Sequence, residues 1–368
     1  ALLIQTLVRL QRTELGFEPK GVLTFQLAPP TNRYPLDSKA PAFYRELIAS
    51  LQSIPGVRAA AASSGVPFGA GNYTATAVTA IGPSVLPPDT GVSIDWRVAT
   101  PGYFRAIGVP LLRGRDFADA DGADETRPVI VSAATAERFF GKADPIGRSI
   151  RQVADTKGFT IVGVVGDVKH TALNRQAPSM YLPAARSVWP LMDVVVKTDR
   201  EPDALVPSVR EAVRRLDPQL PVATVRTMEE WLSNSAARPR LNAQLLGIFA
   251  AVALLIAAIG IYGVLAYSVT QRTHEIGLRM ALGAPRTRVM RLVVGEGMAV
   301  GACGIAAGLV GAAALGRTLS TLVFGVHVHD PVTYGAVAAT LAVVALAACS
   351  LPARRASLVD PLVALREE

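Results

Sequence analysis

Apolar residues are spread unevenly along the chain. Leu245–Tyr267, Gly297–Leu315 and Val332–Leu351 run for 23, 19 and 20 residues without a charged side chain. An α-helix needs about 20 apolar residues to cross a hydrocarbon core of about 30 Å. Each run meets that length, so three membrane-spanning helices are predicted, over 245–267, 297–315 and 332–351. Ahead of them the pattern is that of a water-facing domain. Val22–Ala28 alternates like a strand, and Pro41–Ser53 carries Phe43, Leu47, Ile48 and Leu51 at helical spacing before Pro55-Gly56 ends it. Val57–Ser63 reads as the returning strand. A second set follows much later: Phe159–Val168 and Met192–Lys197 as strands, Asp203–Leu216 as a helix with Leu205, Val209, Ala212, Val213 and Leu216 on one face, and Pro221–Arg226 as a last strand. Glu229 then leads a helix toward the first span. Between the two β-α-β sets lies a Gly- and Pro-rich stretch, residues 65–157, with a short helix near Ala134–Phe140. The predicted fold class is a membrane protein. An α+β domain over residues 9–240, split by a mostly β insertion over 65–157, is followed by three transmembrane α-helices within 241–368.

The charges orient this plan. The chain is basic, with a formal net charge of +8. The link between the first two spans, residues 268–291, holds Arg272, Arg279, Arg286, Arg288 and Arg291 against the single acid Glu275. The link between the second and third spans holds Arg317, and the tail holds Arg354, Arg355 and Arg366. Cytoplasmic loops carry the excess of Lys and Arg, so the first link and the tail are expected inside. The second link and everything before Leu245 are then expected outside. The basic balance is thus used by topology, and no nucleic-acid-binding motif accompanies it; no nucleic-acid partner is predicted. Ala1–Leu10 (ALLIQTLVRL) is apolar but too short to span. Residues 1–8 are expected to be the outer end of an earlier membrane helix that would have exported the large domain. Both cysteines, Cys303 and Cys349, fall in spans, so the exported domain is expected to rest on its core alone.

Few residues suggest bond-making chemistry. No Walker A sequence occurs, and Gly163-Val-Val-Gly166-Asp167 lacks the lysine and the helix start that a phosphate cradle needs. It reads as a structural turn. The chain is therefore expected not to be an enzyme, and no cofactor is predicted. His327-Val-His329-Asp330 has the alternate spacing of metal ligands, but it sits in a short outer link where polar residues are expected anyway; no metal site is assigned. His170 and His274 stand alone. Two patterns carry more. Gly297, Gly301, Gly304, Gly308 and Gly311 recur at spacings of four and three, on one face of a helix, where glycine lets another helix approach closely in lipid. In the basic link, Glu275 and Arg279 form an i,i+4 pair in the favourable order. Ile276 and Met280 share a neighbouring stripe, Gly283 breaks the helix, and Pro285 suits the first turn of the next. The result is a short amphipathic helix between two spans, read equally well as a partner surface or as a solvated loop.

Residues 269–284 (VTQRTHEIGLRMALGA) resemble the cytoplasmic coupling segment of MacB/FtsX-type ABC transporter permeases. Leu351–Glu368 resembles the C-terminal signature of that family, and Leu322–Pro331 its last outer loop. Arg9–Phe17, Phe43–Val57, Pro101–Phe117 and Asp144–Arg148 are similar too, so the resemblance covers nearly the whole chain. It is nearest to the C-terminal half of duplicated permeases of the acidobacterial type. The resemblance implies a MacB-like periplasmic core domain over 9–240 and an FtsX-like permease domain over 241–368, in a multi-pass protein of the bacterial inner membrane. It implies a separate cytoplasmic ABC ATPase contacting Glu275, Ile276, Gly277, Arg279, Met280, Ala281, Leu282, Gly283 and Ala284. It also implies a second permease copy or half, and partnership with a periplasmic adaptor or outer-membrane channel. The implied activity is efflux of a drug, peptide or other amphiphile by mechanotransmission, in which ATPase closure moves the periplasmic domain. The alternatives are a signalling subunit controlling a cell-wall hydrolase, as in FtsX, and lipoprotein release. The expected departures from MacB are the missing first helix and the absence of a fused ATPase domain.

Overall fold

The structure is a computed structural model that describes residues 15–69, 74–87, 89–122, 125–153, 155, 157–170, 177–272, 275, 278–279, 282, 285–319 and 331–357. The chain forms two units, one over residues 13–237 and one from residue 238 onward.

The first unit opens with strand β1 (Val22–Leu27), helix α1 (Lys39–Gln52) and strand β2 (Val57–Ser63). Then come β3 (Thr74–Ile81), β4 (Val92–Ala99), α2 (Tyr103–Ile107), β5 (Leu111–Gly114), β6 (Pro128–Ser132), α3 (Ala133–Phe140), β7 (Ser149–Gln152), β8 (Phe159–Val165) and β9 (Ser179–Pro183). The chain closes the unit with β10 (Met192–Thr198), α4 (Val206–Leu216) and β11 (Ala223–Thr227).

Strands β11, β1, β10 and β2 lie side by side in that order, all antiparallel, with Phe25 opposite Val194 and Val194 opposite Ala62. With α1 and α4 this is the split β-α-β plan of ferredoxin-like folds. Leu23, Phe25, Leu27, Val194 and Val196 pack on Phe43, Leu47, Leu51, Val209 and Val213 of the two helices, the residues whose helical spacing is visible in the sequence. The opposite face, with Val22, Ala61 and Val195, packs on Tyr103, Phe104 and Ile107 of α2 and on Trp231. The sheet is therefore buried on both sides, which explains why β1 is apolar or buried at every position.

The insertion between β2 and β10 is a ring. Strands β4, β3, β7, β8, β6 and β9 pair in sequence, and β9 returns to pair in parallel with β4, with Met180 opposite Trp96. Closure removes the exposed strand edges that invite aggregation. Val78, Ile94, Val129, Val131, Phe139, Ile150, Ile161 and Met180 fill the interior. A single register pair, Ser63 with Ala99, joins the ring to the ferredoxin-like sheet. The sequence reading put Phe159–Val168 in the second β-α-β set. Instead β8 pairs with β5, β6 and β7 inside the ring. Alternation fixes which side chains face inward but not which strand lies alongside, and here the partner is chosen by non-local packing.

The second unit consists of long helices. Helix α5 (Met228–Gln271) starts in the first unit and continues into an apolar stretch, Gln244–Gln271; α6 (Arg286–Leu319) and α7 (Pro331–Ser357) follow. All three are long and apolar enough to cross a membrane, over Gln244–Gln271, Thr287–Ala312 and Tyr334–Leu351. Their large apolar side chains are mostly exposed, among them Phe249, Ile256, Ile259 and Val310, the distribution expected of surfaces solvated by lipid. Helix α6 begins well before the charge-free run at Gly297. Its first turns carry Arg288 and Arg291, long side chains that can reach the interface while the backbone stays helical. Arg288 N–H donates to Pro285 O at 2.9 Å, which places Pro285 at the helix entrance.

Candidate functional site

The basic link between α5 and α6 is held by ion pairs. Arg272 Nη1 meets Glu296 Oε1 at 2.8 Å and so ties the end of α5 to α6. Arg279 Nη2 meets Glu275 Oε1 at 2.5 Å, the i,i+4 pair expected from the sequence. Leu282 N–H donates to Leu278 O at 3.0 Å, a helical bond in the same segment. A small cleft of about 150 Å³ runs beside it, lined by Leu265, Ser268, Arg272, Glu275, Arg279 and Glu296. Its polar wall leaves two leucines outside: Leu278 is 47% exposed and Leu282 is 81% exposed. One helical turn apart, they offer an apolar edge next to charged pairs.

Glu275, Arg279 and Leu282 of the predicted coupling residues are thus seen directly. Ile276, Gly277, Met280, Ala281, Gly283 and Ala284 lie outside the described residues. Leu278 was not among the predicted residues, although its i,i+4 spacing from Leu282 is visible in the sequence. The Arg272–Glu296 pair was missed for a different reason: nothing local in the sequence links residues so far apart.

The glycine stripe of α6 divides in two. A Cβ on Gly297 would stand 2.5 Å from Cys349 Sγ on α7 and 2.7 Å from Leu265 Cδ1 on α5, and one on Gly301 would touch Ala345 Cβ at 3.4 Å. Only glycine fits at the first. Gly304, Gly308 and Gly311 would meet no atom of the described residues within 4 Å. Gly297 and Gly301 therefore pack α6 against its neighbours, and among the described residues the other three face open space.

Two family models match the chain, and they match its two units in order. The MacB-like periplasmic core domain matches residues 10–216, and the FtsX-like permease C-terminal domain matches residues 247–361. The chain belongs to the MacB/FtsX family of permeases. Among its relatives are the pyoverdine export ATP-binding/permease protein PvdT of Pseudomonas savastanoi pv. phaseolicola, 29% identical over 72% of this chain and 42% of that protein. Another is the macrolide export ATP-binding/permease protein MacB of Bdellovibrio bacteriovorus, 28% identical over 73% of this chain and 43% of the relative. The chain thus spans less than half the length of these relatives. The periplasmic region of MacB from Actinobacillus actinomycetemcomitans is a structural neighbour at 12% identity and a TM-score of 0.40, covering 60% of this chain and 95% of that one.

The remaining residues singled out in the sequence of this permease are structural where they are seen. Gly163 sits inside β8, where a Cβ would stand 2.4 Å from Arg115 O, so it permits close strand approach rather than cradling a phosphate. Asp167 Oδ1 accepts from Ala134 N–H at 2.8 Å, at the start of α3. His170 is buried, with Nε2 3.0 Å from the Tyr181 hydroxyl. Burial first, and the nearby Arg97 charge second, hold its pKa well below the ordinary value, so it is a neutral packed imidazole. His274, His327, His329 and Asp330 lie outside the described residues.

Proposed function

We propose that this chain is the permease part of an exporter of the bacterial inner membrane. A separate cytoplasmic ABC ATPase would bind the segment around Leu278 and Leu282, and its closure would be passed through α5 and α6 to move the periplasmic domain. The observation that carries this reading is the exposed pair Leu278 and Leu282 beside the Glu275–Arg279 and Arg272–Glu296 ion pairs. An apolar anchor ringed by charges is the arrangement in which the anchor supplies affinity and the rim sets orientation. The Arg272–Glu296 pair also ties the end of α5, just ahead of the segment, to α6, so a displacement of the segment has a route into both helices. Relatives named as pyoverdine and macrolide exporters support an amphiphilic small molecule as cargo.

The test is a full-length permease reconstituted with its cognate ATPase. Leu282→Asp puts a charge in the contact. Loss of an interface anchor of this kind costs about 2 kcal/mol, so co-purification and permease-stimulated ATP hydrolysis should weaken roughly 30-fold. Arg279→Ala, at the rim, should have a much smaller effect. A Leu282→Asp permease that binds and stimulates the ATPase normally would remove the proposed coupling surface.

A further inference from the structure

The periplasmic unit contains an apolar cleft of about 450 Å³ where the ring meets the ferredoxin-like layer, within the range of small-molecule sites. Its walls come from several elements. Trp96 stands on β4, Phe159 on β8 and Leu182 on β9, and Val188 and Trp189 lie in the segment before β10. The rings of Trp96 and Trp189 meet in a tilted pair, with centroids 5.4 Å apart and planes inclined by 42°. Two of the three tryptophans in the chain therefore line this one cleft, each only half-buried. Large aromatic faces left partly bare in a concave site mark a binding surface more readily than isolated exposed residues do.

The charges at the mouth narrow the ligand. The charged residues lining the cleft are Arg127 and Arg186, and no acidic side chain joins them. Arg127 lies with its Cζ 4.1 Å from the Phe159 ring centroid. Its Nη1 pairs with Asp155 Oδ2 at 2.8 Å and also reaches Lys157 O at 3.3 Å. Among the described residues the other side of its guanidinium fork, Nε and Nη2, makes no such bond. The Arg127 backbone is held at a φ of +51°, a conformation unfavourable for a side chain of this kind. An aromatic cage alone would suit an organic cation, but the Nε and Nη2 edge of Arg127 at the rim can pair with a carboxylate or sulfonate.

We propose that this cleft binds a small aromatic amphiphile carrying one anionic group, its ring system against Trp96, Trp189 and Phe159 and its anion on Arg127. Such a ligand touches both layers of the periplasmic unit at once, because its walls belong to both.

The experiment uses the full chain in nanodiscs of zwitterionic lipid, with dansylglycine as the anionic probe and dansylcadaverine as the cationic one. Energy transfer from tryptophan to the dansyl group is read against empty discs. Dansylglycine should bind saturably at one site, at least tenfold more tightly than dansylcadaverine. Trp231→Phe should leave binding unchanged, since Trp231 is buried elsewhere with its Nε1–H donating to Thr24 Oγ1 at 2.9 Å. Arg127→Gln should weaken the anionic probe at least tenfold and erase the preference between probes. Ser187→Phe, at an exposed lining position that leaves the core intact, should abolish binding by filling the space. Equal affinity for the two probes, unaltered binding in both Arg127→Gln and Ser187→Phe, or no saturable binding would each overturn the proposal. No ATP or ATPase enters the measurement, so the result is separate from that of the transport reading.

Discussion

Asp193 is a carboxylate buried in the sheet of the first unit. It is the second residue of β10, 1% exposed, in a strand whose other residues are Met, Val, Lys and Thr. Burial pushes its carboxyl up to about 6; Gln26, opposite it in register, and the Val66 N–H 3.3 Å from Oδ2 pull it only partly back. The folded pKa is therefore raised above the unfolded one, near 4. The folded state binds more protons than the unfolded state between these two values. The contribution of Asp193 to stability is fully present below about pH 4 and is lost as the pH rises to about 6, amounting to roughly 3 kcal/mol. Other carboxylates act in the opposite sense, among them Asp155, held low first by the Lys157 N–H and then by Arg127. The clean readout is thus the difference between thermal melts of the wild-type chain and of Asp193→Asn. The variant should be the more stable near neutral pH, and the advantage should shrink as the pH falls from about 6 to about 4. A difference that does not change over that interval would mean that Asp193 keeps its charge in the folded chain.

Helices α6 and α7 carry the element-scale prediction, because the glycine stripe reads differently at its two ends. Gly297→Leu drives a side chain into Cys349 and Leu265. Overpacking of this kind costs about 1–3 kcal/mol, and the variant should melt lower as an isolated chain, whatever else is present. A Cβ on Gly304 would meet no atom of the described residues within 4 Å, so Gly304→Leu should leave the melt of a single chain unchanged. If it nevertheless lowers assembly, the contact lies with another molecule; if both variants melt like wild type, the stripe is ordinary composition. The sequence shows the stripe because period and residue type are local properties, but it cannot show where along α6 the neighbouring helix leaves. The same limit explains the water-facing unit. Phe43, Leu47 and Leu51 announce α1, and Val209 and Val213 announce α4, each from its own spacing. The ring made by β3, β4, β6, β7, β8 and β9 is invisible, since closing it depends on β9 finding β4 across a long separation. In the link, Glu275–Arg279 is legible as an i,i+4 pair, whereas Arg272–Glu296 and the cleft between Trp96 and Trp189 arise only when distant segments meet.

At the scale of the whole molecule the decisive feature is the uneven placement of arginine around three apolar helices. Moving a guanidinium through hydrocarbon is costly, so the segment with the most arginines stays on the side where the chain is made. Residues 268–291 hold five arginines and residues 316–331 hold one. The first link should therefore face the cytoplasm, and residues ahead of Gln244 should face outward. Single cysteines on a Cys303→Ala, Cys349→Ala background, labelled with a membrane-impermeant maleimide, decide between the two orientations. Ser233→Cys, an exposed position near the start of α5, and Thr287→Cys, an exposed position at the entrance to α6, bracket the first span. Ser233→Cys should react in intact spheroplasts and Thr287→Cys only in inverted vesicles. Adding lysines to the outer link, for example Thr318→Lys with Ser320→Lys, should reduce the bias and admit a fraction of inverted chains, because orientation follows the difference in positive charge between short loops. Reaction of Ser233→Cys only from the cytoplasmic face would reverse the topology. It would also leave Leu278 and Leu282 on the side without ATP, so the same labelling tests the premise on which coupling to a cytoplasmic ATPase depends.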